Sequence, residues 1–144
     1  MSAVSVAIDV NPPNAHPILT REDVWRGLLM KAENALPFVL SMQSCTVLER
    51  TPTGLLREVV VRDDRFVERV TFTPQVQVLF ERVEADGTVV GWISNVISDS
   101  DHGLLLTFSF NVAARGDTLR QSYVRAVNST LAAVRKMALE GSPL

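Results

Sequence analysis

The chain is poor in the residues that usually announce chemistry. It carries one cysteine, Cys45, among 144 residues, so it can form neither an intramolecular disulfide nor a cysteine-based metal cluster. Two histidines are present, and neither His16 nor His102 has a serine, cysteine or aspartate at a motif spacing. There is no HExxH, no GxGxxG and no Walker pattern, so nothing points to a metal or a nucleotide cofactor. Long apolar runs are also missing. Stretches such as Gly27–Met30 and Leu104–Leu106 are far too short to span a bilayer. No basic segment followed by an apolar one marks an exported leader, so the cytoplasm is the default compartment. The 14 basic and 16 acidic residues are mixed along the chain, with a net charge of −2. That leaves no stripe for nucleic acid and no patch for an anionic membrane. A neutral or weakly polar small-molecule partner fits this charge pattern better.

What is present is enough for a core. The hydrophobic fraction is 47%, and the length suits one domain spanning residues 1–144. Residues 2–10 alternate with a period of two and read as a strand, stopped by Asn11-Pro12-Pro13-Asn14. Thr20 is an N-cap with Asp23 three positions on, and Val24, Leu28 and Ala32 form an apolar stripe beside Trp25 and Leu29. Asn34 ends that helix. Leu36-Pro37-Phe38-Val39-Leu40 then reads as a second, very short helix with Pro37 in its first turn. Strands follow at 43–51, 54–62, 65–73, 76–84, 88–98 and 103–112, separated by tight turns. From the N-cap Asp117, residues Leu119, Tyr123, Val127, Leu131, Val134 and Ala138 step along one face of a long helix, ended by Gly141 and Pro143. The expected fold is α+β: a seven-stranded curved antiparallel sheet wrapped around the C-terminal helix, with room for an internal cavity.

One pair of charges is out of place in this pattern. With Asp63-Asp64 as the hairpin loop, Arg62 pairs with Arg65, and one face carries Arg57, Val59, Val61, Phe66, Glu68, Val70 and Phe72. That face is the apolar one, yet it holds Arg57 and Glu68 on a diagonal, within reach of each other. Turned inward they anchor a ligand; carried to the rim by sheet twist they are an ordinary exposed pair.

Asn11-Pro12-Pro13, Leu19 to Leu29, Leu36 to Val39, Arg57-Glu58-Val59, Glu68-Arg69-Val70-Thr71 and Leu105 to Phe110 together resemble the AtaL-like branch of the SRPBCC superfamily. This is the helix-grip fold of START and pollen-allergen proteins. The resemblance covers nearly the whole chain. It implies an apolar ligand cavity between sheet and C-terminal helix, with short helices near the mouth. Superfamily members include lipid and hormone carriers, polyketide cyclases and chaperone activators, so the fold selects none of these. The branch's namesake belongs to a fungal secondary-metabolite pathway.

The residues expected at the ligand are therefore Arg57 and Glu68 as polar anchors, with Phe66, Val70, Leu106, Phe108, Tyr123 and Val127 bordering the void. No complete catalytic set is visible. The leading expectation is binding of a lipophilic metabolite. The alternatives are a cyclase or dehydratase using Glu68, Arg57 and Tyr123, and a chaperone-activator-like interaction module.

Overall fold

The computed structural model describes the backbone of residues 2–112 and 117–140, and the side chains of 3–111 and 124–140. In chain order the elements are β1 (Ser2–Asp9), α1 (Arg21–Glu33), β2 (Met42–Thr51), β3 (Gly54–Val61), β4 (Asp64–Thr73), β5 (Gln77–Val83), β6 (Val89–Ser100), β7 (Gly103–Val112) and α2 (Asp117–Glu140). All pairings are antiparallel, and the strands lie in the order β1-β7-β6-β5-β4-β3-β2. The consecutive strands form a meander because their turns are too short for a crossover. Here β1 returns to pair with β7, and β2 closes the other edge with two bulges, which bend and protect it.

Alternation decides what each strand buries. Val6, Leu55, Val70, Val78, Ile97, Leu106 and Phe108 all point to one face and meet Val24, Leu28 and Ala32 of α1 and Val127, Leu131 and Val134 of α2. The C-terminal helix runs 24 residues, about 36 Å. The stop signals Gly141 and Pro143 lie outside the described residues.

Helix α1 begins as its sequence demands. The Thr20 hydroxyl accepts from Asp23 N–H, and the Asp23 carboxylate accepts from Thr20 N–H, a complete capping box. The short helix expected at 36–40 does not form. Phe38 and Val39 both donate to the Ala35 carbonyl, and Met42 donates to Val39, so one turn closes and β2 begins. Pro37 fits a first helical turn, but with β2 starting five residues later nothing propagates it. The fold is therefore helix-grip with one helix, not two, after the first strand.

The two helices touch at Gly27. A Cβ there would stand 2.2 Å from Cγ2 of Val134. Gly27→Ala should therefore destabilise the protein by about 1–3 kcal/mol, although alanine is the better helix former. Adding Val134→Ala should relieve the clash, so the two substitutions should be clearly non-additive in urea melts.

Candidate functional site

The hairpin between β3 and β4 sets the site. Its two loop residues are Arg62 and Asp63, both at positive φ (52° and 70°), as a type I′ turn requires. The loop is not Asp63-Asp64: Gln43 grips Asp63 by a pair of hydrogen bonds and holds it at the tip. Moving the loop by one residue changes the pairing but preserves every side chain's face. Arg57 consequently stands directly opposite Glu68 instead of on a diagonal.

Both residues are 3% exposed. Arg57 Nε and Nη2 reach Glu68 Oε1 at 2.9 and 2.8 Å. Its Nη1 donates to the carbonyls of Lys31 and Ala32 at 2.9 and 3.0 Å, in the last turn of α1 where the helix leaves acceptors free. The guanidinium lies 4.8 Å over the Phe80 ring. The other Glu68 oxygen takes a longer bond, 3.4 Å, from Arg82 Nε, and Arg82 in turn stacks on Phe66 at 3.9 Å.

A third cation stands beside this pair. Lys31 is 7% exposed and donates to Asn95 Oδ1 at 3.0 Å, with its ammonium 4.2 Å over Phe108 and 5.4 Å over Phe80. Burial lowers its pKa from the ordinary 10.5 to about 7; the Arg57 charge pushes the same way and Glu68 opposes.

These groups border a cavity of about 260 Å³ between the inner face of the sheet, the end of α1 and Ala126 of α2. Phe80, Ile93, Phe108, Phe110 and Met42 give it apolar walls; Lys31, Arg57, Glu68 and Arg82 give it a charged side. Val39 and Ser41, from the turn before β2, border it as well. A second hollow of about 200 Å³ adjoins it across Glu68, Phe80, Arg82, Ile93 and Phe110.

Of the eight residues expected at the ligand, Arg57, Glu68 and Phe108 line this cavity. Phe66 is half-buried beneath Arg82 and borders a separate hollow with Arg65 and Val90. Val70, Leu106 and Val127 are fully packed in the core, where α1 covers the sheet, and are not part of the cavity wall. The Tyr123 side chain lies outside the described residues. His16 and His102 are exposed, and Cys45 is half-buried. Sequence reasoning missed Lys31, Arg82 and Asn95. Lys31 had a visible signal, since it follows Val24 by seven residues and Leu28 by three, squarely on the apolar stripe.

A family model described as acetylaranotin biosynthesis cluster protein L, AtaL, matches residues 4–141. The chain belongs to the AtaL family. No curated protein matches it. Among solved structures, this AtaL-family chain is similar to a START superfamily protein from Mycobacterium smegmatis (13% identity, TM-score 0.65, covering 94% of this chain and 98% of that one). It is likewise similar to the ZhuI aromatase/cyclase from Streptomyces sp. R1128 (14%, 0.62, 95% and 94%). The di-domain aromatase/cyclase StfQ from the steffimycin biosynthetic pathway has a TM-score of 0.68 at 10% identity, over 96% of this chain and half of that one. At these identities the likeness is one of fold. No helix among the described residues is long and apolar enough to cross a membrane.

Two stability measurements probe the charged side of the cavity. Glu68→Ala should cost about 3–5 kcal/mol, because it strands a buried guanidinium. The double change Arg57→Met, Glu68→Leu should recover much of that loss, the deficit being the freed carbonyls of Lys31 and Ala32. The second measurement is pH dependence. The folded pKa of Lys31, about 7, lies below its ordinary 10.5, so between those values the unfolded chain holds more protons. Stability should rise with pH across that window, by up to about 1.4 kcal/mol per pH unit. Urea midpoints from pH 7 to 10 should show this slope in the wild type and lose it in Lys31→Met.

Proposed function

We propose that the protein binds a lipophilic small molecule in the cavity between sheet, α1 and α2. The observation that carries this reading is the cavity itself: about 260 Å³ of space walled by Phe80, Ile93, Phe108 and Phe110, with buried charges on one side. A half-open space of this size, bordered by apolar walls and convergent polar groups, supports a recognition site. Its volume, near the lower end of small-ligand pockets, fits a body of one to three rings or a medium acyl chain. Membership of a family described by a biosynthesis cluster, and a fold shared with aromatase/cyclases and a START protein, supports a metabolite as the occupant.

A cyclase or dehydratase would use the same cavity. Binding is preferred because Glu68, the one carboxylate on the cavity wall among the described residues, has both oxygens engaged, one by Arg57 and one by Arg82. A base must be free to take a proton from its substrate, and this carboxylate is tied to two guanidinium groups.

The test is to fill the space. Ala126 of α2 lies on the cavity wall, and Ala126→Phe adds a ring to it. In the wild type, ANS fluorescence should rise on binding and fall when a medium-chain fatty acid or an aromatic polyketide competes. The filled variant should bind the dye at least about tenfold more weakly while melting cooperatively. Equal dye affinity in both proteins would place the dye elsewhere and refute the reading.

A further inference from the structure

The charges around the cavity do not balance. Among the described residues that line it, Lys31, Arg57 and Arg82 stand against Glu68 alone. Arg57 and Arg82 share that carboxylate, and Arg57 also satisfies the carbonyls at the end of α1. Lys31 has no carboxylate within ion-pair distance among the described residues. Its ammonium offers three N–H groups and, among the described residues, meets one acceptor, Asn95 Oδ1. The Nδ2 of the same Asn95 is buried without a partner among the described residues. Donors are therefore in excess at this point, and acceptors are lacking.

A buried ammonium so placed can lower its free energy in two ways: it gives up its proton, or it gains an anionic oxygen. The Phe80 and Phe108 rings beside it stabilise a cation and also form a flat apolar wall next to the charge. An occupant complementary to this arrangement is apolar over most of its surface and negative at one end.

We propose that the cavity takes an apolar acid, an aromatic or aliphatic body ending in a carboxylate or an ionised phenol or enol, whose oxygen seats on the Lys31 ammonium, and that binding draws a proton into the site. The proposal rests on the binding reading and names its ligand class. Among the described residues, the charged groups that act on Lys31 are Arg57 from β3 and Glu68 from β4, and Arg82 from β5 lines the same cavity. Strands β6 and β7 present Asn95 and Phe108, and α2 presents Ala126. In the empty site the lysine is largely neutral above pH 7. A bound anion favours its charged form, so above that pH the proton comes from solvent.

The experiment is calorimetry with 1-naphthoate and its uncharged counterpart 1-naphthamide. At pH 7.5, naphthoate binding to the wild type should take up about half a proton or more, read from the dependence of the heat on buffer ionisation enthalpy. Its affinity should fall by up to about tenfold per pH unit above that point. Naphthamide should bind with no uptake and no pH dependence. In Lys31→Met, naphthoate should lose at least about tenfold in affinity and all proton uptake, while naphthamide binding persists. Naphthoate binding to the wild type without proton uptake overturns the proposal, and this measurement uses the unaltered protein, whatever the fate of the variant. Equal naphthoate affinity in wild type and Lys31→Met overturns it as well. If neither probe binds, the cavity reading fails and takes this proposal with it; if only naphthamide binds, the cavity reading stands and the acid is excluded.

Discussion

A guanidinium cannot shed its charge inside a protein, so Arg57 has to be bonded wherever it turns. Its environment meets that demand from three directions at once. Glu68 accepts two N–H groups from across the β3–β4 ladder, the Lys31 and Ala32 carbonyls accept another from the last turn of α1, and the face of Phe80 lies against the plane. One side chain thereby links the register of a hairpin to the point where a helix stops. The helix ends at Glu33, and Asn34 is already extended. Beyond that point the inner face of the sheet has no helix from the N-terminal third to cover it. The cavity occupies that uncovered part, so the buried ion pair and the void have one origin.

Placing such a pair at the edge of the core is costly in itself, since desolvating each ion takes several kcal/mol before any contact is made. The arrangement limits the cost by continuing the network outward. Glu68 passes from the fully buried Arg57 to Arg82, whose side chain is half-exposed and stacked on Phe66. Charge thus runs from the end of α1 to solvent through three side chains. Val70, Leu106, Val127 and Leu28 pack together in the hydrophobic core beside this network.

Much of the fold was legible because strand alternation and turn chemistry are local. The inward placement of Arg57 and Glu68 survived a misplaced loop for a geometric reason. Moving a two-residue loop by one position shifts the pairing by two residues, which leaves every face unchanged. What local pattern cannot reveal is where one element ends against another. Val70, Leu106 and Val127 share a face with the cavity residues, but they sit at the end that α1 fills. Leu36 to Leu40 satisfied the rules for a first helical turn, and only the early start of β2 prevented a second. Lys31 escaped notice because α1 was read by its apolar residues alone. Asn95, between the inward Ile93 and Ile97, is the polar member of an apolar series in the same way.

Seen from the cavity, these two overlooked residues are the adaptable part of an otherwise saturated site. Arg57 and Glu68 are each held by several partners, so neither can change its bonding without loosening the hairpin or the end of α1. Lys31 and Asn95 share a single bond, and the amide Nδ2 has no partner among the described residues. While the lysine is charged, only Oδ1 can face it, because an ammonium has no lone pair to offer. A neutral amine has one, and an amide that donates to it must present Nδ2 where it now presents Oδ1. A neutral Lys31, which keeps two N–H groups and gains a lone pair, can therefore face either end of the Asn95 amide. The fold is shared with aromatase/cyclases and a START protein at 10–14% identity. At that distance the likeness is one of fold, and within this cavity the pair of Lys31 and Asn95 is where bonding capacity is left to give.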